Sequence, residues 1–438
     1  MLKFNIYDVN LSFVVAFFMF LNARIDLCSS QTTFGNGTFK FVQVIFRHGD
    51  RSAITPYKND PFQEDSWPQG LGQLSKLGKE QSFNLGKFFS DRYQRNDFLN
   101  TSYLQKEIYA CSTDFDRALM TAQCVLAGLY PPAKDQQFNL NIPWQPIPVH
   151  VRLDVIGLMG DCPRRNKLNS DYSQAYSKRI ELDNQEFIEY VANHTGEEAT
   201  LGGLIKVVDP IFCEHTHNFS LPAWLTSNNT YEKLMSFGYD AVQMYIPTLQ
   251  IARLKGGEML GFMVQKMKDK INNANMTEKM FIYSGHDSTL YALMGALQVF
   301  NKIPVPYRAC IMLELVETSY NNYSVQILYR NDSTQQPFPL AIPDCDYLCP
   351  FEKFVELTKR GIPNDIEKEC ALESALSSSG SKLAIAISVI SGILLVMFIV
   401  FPAICYLRYR SNQAKYRLCP DEAFQDTSRT LFTDIDEL

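Results

Sequence analysis

Phe39-Lys-Phe-Val-Gln-Val-Ile-Phe46 runs directly into Arg47-His48-Gly49-Asp50-Arg51-Ser52, and that junction decides the fold. The first half alternates and then turns continuously apolar through Val44, Ile45 and Phe46, as in a buried strand of a mostly parallel sheet. The second half breaks into charge and glycine. Open α/β sheets hold ligands beyond the carboxyl ends of their strands, so chemistry is expected here. Arg47 and Arg51 offer fixed positive charge and forked donors suited to phosphate. His48 offers a nitrogen nucleophile that works at neutral to mildly acid pH. Gly49 allows a sharp turn and close approach of a ligand. Arg-His-Gly alone is a weak signal; Arg51 and the preceding strand strengthen it. The alternative is a strand followed by a solvated charged turn.

Two more junctions follow the same grammar. Lys106 to Ser112 reads as a strand, and Asp116 to Leu129 as a helix stopped by Pro131-Pro132. Asp114 and Asp116 favour that helix start, and Arg117 either points into a site or lies on the helix surface. Lys279 to Ser284 reads as a strand, followed by Gly285, the pair His286-Asp287 and a helix from Ser288. A carboxylic acid beside a histidine suits protonation of a departing ester oxygen, although Asp287 read alone is a capping residue. Between these junctions, residues 154–250 are polar helices and long loops, whereas Cys310 to Val316 and Ser324 to Tyr329 suggest an antiparallel pair. The expected architecture is α/β: a mostly parallel central sheet flanked by helices, formed by residues 31–153 and 251–375, with a smaller mainly helical insertion at 154–250.

With these three junctions, the chain resembles the histidine acid phosphatases, in the branch of animal lysosomal and prostatic enzymes. The resemblance spans about residues 38–372 and includes Trp67-Pro-Gln-Gly-Leu-Gly-Gln-Leu74, Asp116-Arg-Ala-Leu-Met120, Trp144-Gln-Pro-Ile-Pro-Val-His150 and Tyr329-Arg-Asn331. It implies an acid phosphatase with no cofactor and no metal, acting on phosphomonoesters. His48 would become phosphohistidine, Arg47, Arg51, Arg117 and His286 would bind the phosphoryl oxygens, and Asp287 would protonate the leaving group. It also implies the disulfides Cys162–Cys370, Cys213–Cys310 and Cys345–Cys349, although sequence alone does not fix connectivity. Cys111 and Cys124 would remain buried thiols, and a homodimer is implied. The chain departs from the family pattern at Ala53, usually proline, at Cys111, an arginine in close relatives, and at Gly285, often alanine. Rival readings are a receptor or adhesion glycoprotein on an inactive phosphatase fold, a phosphomutase of the same superfamily, and a phytate- or lysophospholipid-specialised phosphatase.

The chain ends place this domain on a membrane. Residues 1–30, with an apolar run from Leu11 to Leu21, read as a secretory signal peptide, with a retained anchor as the alternative. Sequons at Asn36, Asn100, Asn193, Asn218, Asn228, Asn275, Asn322 and Asn331 all precede residue 380. A stalk at 376–382 leads into the uncharged run Leu383 to Leu407, long enough for a transmembrane helix. Arg408, Arg410, Lys415 and Arg417 follow, which makes 408–438 a cytosolic tail and the chain a type I single-pass protein of lysosomal or plasma membrane. The long polar tail argues against a lipid-anchor signal. A net charge of −6 offers no basic face for nucleic acid. His215 and His217 lack further ligand residues at metal spacing and read as loop or surface histidines.

Overall fold

A computed structural model describes residues 37–152, 160–227, 229–273, 275–372 and 387–416. The signal peptide, Asn36, Asn228, the stalk and the tail beyond residue 416 lie outside them. The chain divides into two units, Met1–Cys370 and Ala371–Leu438.

The first unit is built on β1 (Thr38–Arg47), whose apolar run is explained by burial on both faces. Phe41 and Ile45 enter one apolar cluster, whereas Val42, Val44 and Phe46 enter another. The first cluster is covered by α6 (Leu249–Asn272) and α7 (Asp287–Ala296), through Met259, Leu260, Met263 and Leu290. The second is covered by α1 (Lys76–Phe89) and α2 (Asp116–Leu129), through Leu85, Phe89, Val125 and Leu129. Gln43 is the polar exception. Its amide donates to the Met263 carbonyl and accepts from the Tyr283 hydroxyl, each at 2.8 Å, so each polar atom of its buried side chain has a partner.

The main path of the sheet is β3 (His150–Val151), β2 (Ile108–Ser112), β4 (Met280–Gly285), β1, β5 (Cys310–Ser319), β6 (Asn322–Arg330) and β7 (Phe338–Leu340). Off this path, β8 (Leu348–Pro350) pairs with β6. Parallel pairing is confined to the β3-β2-β4-β1 half, and every pair beyond β1 is antiparallel. The sheet is therefore mixed, with the chemistry-bearing junctions all in its parallel half. The expected antiparallel pair is β5–β6.

Three helices, α3 (Pro163–Thr195), α4 (Leu201–Thr216) and α5 (Thr230–Tyr245), gather an apolar cluster of their own around Ile188, Val191, Leu204, Val207 and Leu234. They belong to the same compact unit as the sheet.

Disulfides join Cys162 to Cys370 and Cys345 to Cys349. The expected Cys213–Cys310 bridge is not formed. Cys310 opens β5 and lies in the cluster with Val44 and Phe46. Cys213 lies in α4 against Ala53 and Trp67, with its sulfur 3.6 Å from Arg51 Nη1 and 3.8 Å from the Tyr307 hydroxyl. Each sulfur is enclosed in a different apolar cluster, and burial pushes both thiols up to about 12. Cys111 is buried and Cys124 half-buried, and neither forms a disulfide. The six described sequon asparagines, Asn100, Asn193, Asn218, Asn275, Asn322 and Asn331, are all exposed. In the second unit, Ile387–Asn412 forms a helix of 26 residues whose most apolar 18-residue stretch has a mean hydropathy of 2.7, long and apolar enough to cross a membrane.

Glu214, in α4, is fully buried and faces the Asp60 carboxylate. Burial, and then the neighbouring Asp60 carboxylate, holds it well above the usual range. The folded chain therefore keeps a proton that the unfolded chain releases above about pH 4.5. Its stability contribution is complete below that value and is lost as pH rises through the raised folded value. The thermal midpoint should fall between about pH 5 and 8, with a slope of up to about 1.4 kcal/mol per pH unit for this proton. Scanning calorimetry of Glu214→Gln should show a flatter profile, and an unchanged profile would assign the dependence to other groups.

Candidate active site

The parallel pairing carries three loops to one edge of the sheet. Arg47 stands opposite Gly285 across β1 and β4, and Ser112 opposite Ser284 across β2 and β4. Beyond the strands, the His48 amide donates to the Gly285 carbonyl at 2.9 Å and the Thr113 amide to the Ser284 carbonyl at 3.1 Å. Gly49 and Gly78 then let the loop after β1 lie directly on α1. A Cβ at Gly49 would sit 2.4 Å from the Gly78 carbonyl oxygen, and one at Gly78 would sit 2.1 Å from that of Asp50. No larger residue fits either position without displacing backbone.

These contacts bring the residues expected from sequence into one cluster. The His48 and His286 rings lie 5.4 Å apart between centroids. Arg47 Nη2 lies 3.0 Å from Asp287 Oδ2. The His48 ring is almost fully buried, and its Nδ1 lies 2.8 Å from the Gly49 carbonyl oxygen. A carbonyl only accepts, so Nδ1 carries the proton and Nε2 keeps its lone pair. Burial, and then Arg47, pushes His48 well below the ordinary histidine value, with Arg51 and Arg117 adding to the effect. The neutral form of the ring is thereby favoured. Burial and Arg117 likewise lower His286 to about 4, and its Nε2 lies 2.9 Å from the Thr113 hydroxyl.

The three arginines are held differently. Arg47 donates to the Val305 carbonyl at 2.6 Å, and its guanidinium carbon lies 4.2 Å from the Tyr307 ring centroid. Arg51 makes a two-pronged pair with Asp209 of α4, at 2.7 and 3.1 Å. Despite the cost of burial, Asp209 keeps Arg51 firmly charged, and Arg51 keeps Asp209 below the usual carboxylate range. Arg117 sits 4.8 Å from the Phe115 ring centroid and makes no hydrogen bond or ion pair to a described residue. Burial, and then repulsion from Arg51, lowers its proton affinity. Arg117 is half-buried, with its Nε fully enclosed. All three arginines retain a buried Nε without an acceptor. Such a cluster suits an anion with several acceptor oxygens. Among the described residues, no three His, Cys, Asp or Glu side chains group as metal ligands.

Sequence reading did not find Asp209 or Tyr307, because neither belongs to a junction motif. It also took His217 for a loop or surface residue. His217 instead turns inward from the end of α4, with Nε2 2.8 Å from Asp50 Oδ2. His215 lies against Tyr231, with 4.7 Å between ring centroids.

Residues 38–330 match the family described as Histidine phosphatase superfamily (branch 2), and the chain belongs to it. It is 38% identical to lysosomal acid phosphatase of Homo sapiens over 394 residues, covering 88% of this chain and 92% of the relative. It is 40% identical to prostatic acid phosphatase of Bos taurus over 347 residues, covering 76% and 88%. The solved apo form of Hafnia alvei phytase shares the fold, with a TM-score of 0.60 at 15% identity, over 78% of this chain and all of that one.

Because Arg117 contributes no bond to a described residue, its removal should affect an anion rather than folding. Arg117→Ala should weaken inhibition by inorganic phosphate about tenfold or more, with Tm unchanged or raised. Lost thermal stability with unchanged phosphate inhibition would make Arg117 structural.

Proposed function

We propose that this protein is an acid phosphatase that hydrolyses phosphomonoesters through a phosphohistidine on His48, anchored by its C-terminal helix with the catalytic domain on the lumenal or extracellular side. The observation that carries the mechanism is the buried His48 ring, whose Nδ1–H is held by the Gly49 carbonyl, leaving Nε2 as the nucleophile. The cationic cluster supports the substrate class. Phosphoryl transfer depends chiefly on positioning and charge neutralisation, and Arg47, Arg51 and Arg117 can supply both to the three phosphoryl oxygens, with His286 as a further contact.

In the first step, the Nε2 lone pair attacks phosphorus and the bond from phosphorus to the ester oxygen breaks. The departing oxygen takes a proton from Asp287, whose side chain is about one-third exposed and adjoins Arg47. In the second step, water loses a proton to Asp287 as its oxygen attacks phosphorus. The phosphorus–nitrogen bond breaks, releasing phosphate and neutral His48. The convergence of nucleophile, acid and three arginines favours this reading over an inactive receptor fold. Likeness to lysosomal acid phosphatases and the apolar helix Ile387–Asn412 support a membrane-anchored lysosomal protein. Arg408 and Arg410 at the C-terminal end of that helix, with Lys415 and Arg417 beyond it, support a cytosolic C-terminus.

His48→Ala should abolish turnover of an aryl phosphate at acid pH. Rapid quenching of the parent protein, handled in alkali to preserve the adduct, should yield acid-labile phosphate on the His48 peptide. Phosphate trapped on another residue would sink the assignment.

Asp287→Asn should separate acid catalysis from structure. Phosphorylation by an alkyl ester should slow by about 10²–10⁴-fold, as expected on loss of a general acid. A nitrophenyl ester, with its good leaving group, should lose much less. The comparison belongs in single-turnover kinetics of the phosphorylation step, because dephosphorylation can limit turnover of the better ester. Equal losses on both esters would remove Asp287 from the acid role.

A further inference from the structure

The loop Arg47–Ser52 is also held through Asp50, which is not one of the clustered arginines and histidines. Asp50 is fully buried. Its amide donates to Gln81 Oε1 at 3.0 Å and its carbonyl accepts from the Ser75 amide at 3.0 Å, so its backbone is tied to α1 and its cap. Its Oδ2 accepts from the Ser75 hydroxyl at 2.5 Å and from His217 Nε2 at 2.8 Å. Among the described residues, His217 is the only cationic group in ion-pair range of Asp50.

We infer that His217, as an imidazolium, is a positioning residue that clamps the Arg47–Ser52 loop through Asp50, and that loss of its proton loosens this clamp and contributes to the fall of turnover at higher pH. The inference rests on the phosphatase reading of the site.

The geometry asks for the cation. The Asp50 carboxylate is fully buried, and the only cation that can pair with it among the described residues is the His217 ring, whose Nε2 lies 2.8 Å from Oδ2. The other charged and titratable groups around His217 come from three elements. Arg51 lies on the clamped loop, and Lys76, at the start of α1, lines the same pocket as His217. Asp209, Cys213 and Glu214 lie on the preceding turns of α4. The Trp67 ring packs edge-on against His217 at 5.4 Å between centroids. Asp50 outweighs the burial and raises the proton affinity of His217 above the ordinary 6.5. The charged clamp is therefore complete below that value and is lost as pH rises through the folded one. Because Asp209 fixes Arg51 from the same helix, α4 grips the loop at two points, of which only the His217 point depends on protonation near neutral pH.

The test compares kcat/KM of the full-length parent and of His217→Gln from about pH 4.5 to about 8.5. Glutamine keeps a neutral donor without a titrating proton. The parent should exceed the variant about tenfold at the acid end, and the ratio should fall towards one at the alkaline end. A ratio constant with pH would show a structural role only and overturn the proposal. Should the variant fail to fold, imidazole C2–H exchange in the parent, followed by mass spectrometry of the His217 peptide, supplies the second readout. Its titration midpoint should lie above about 6.5, and saturating inorganic phosphate should raise it, since coupling between the sites is reciprocal. A midpoint at or below the ordinary value, or one indifferent to bound phosphate, overturns the clamp. This readout requires no turnover. A chain that binds phosphate but hydrolyses no phosphomonoester would sink the phosphatase reading while leaving the His217 titration measurable.

Discussion

Everything chemical in this molecule depends on the register between β1 and β4. Arg47 faces Gly285, and the next amide, that of His48, bonds back to the Gly285 carbonyl. Two strands of unrelated sequence therefore end at the same height, with a histidine directly after each. A one-residue slip would turn every side chain of β1 to the opposite face. Val42, Val44 and Phe46 would leave the α1–α2 layer, and Phe41 and Ile45 the α6–α7 layer. The apolar pattern that buries the strand is thus also what aims His48. Strand β2 joins at the same level through Ser112 and Ser284 and delivers Arg117 on the helix that follows.

The charges of the site are unequal by construction. Three guanidiniums meet two carboxylates, Asp209 and Asp287, while burial and the arginines keep both histidines readily neutral. A positive excess therefore remains for an anion, held by groups already fixed by Asp209, Val305, Tyr307 and Phe115. Preorganised charge of this kind needs little rearrangement when the ligand arrives.

Much of this was legible in the chain because strand-to-helix junctions are local. Arg47, His48, Arg51, His286 and Asp287 each adjoin a run of residues whose periodicity reveals its own structure. Arg117 remained ambiguous because one arginine on a helix has no local mark of burial. Asp209 and His217 were illegible for a stronger reason: each finds its partner across more than a hundred and fifty residues, and nothing near them records that partner. The same distance undid Cys213, whose sulfur packs beside Arg51 and not against Cys310. The sheet was read as mostly parallel because its site-bearing strands are. The antiparallel half carries fewer charged junctions, although β5 and β6 were visible as an adjoining pair.

The Cys162–Cys370 disulfide closes a loop of sequence separation 208. Asp209, His217, His286, Asp287 and Tyr307 all lie inside that loop, whereas His48, Arg51 and Arg117 lie before it. A single protease cut between the two cysteines, made under oxidising conditions, therefore leaves both pieces covalently joined. Such a nicked chain would run as one band until reduced and would keep both halves of the site on a single molecule. Tension applied between the two chain ends would likewise pass from Cys370 to Cys162 through sulfur, sparing the enclosed polypeptide.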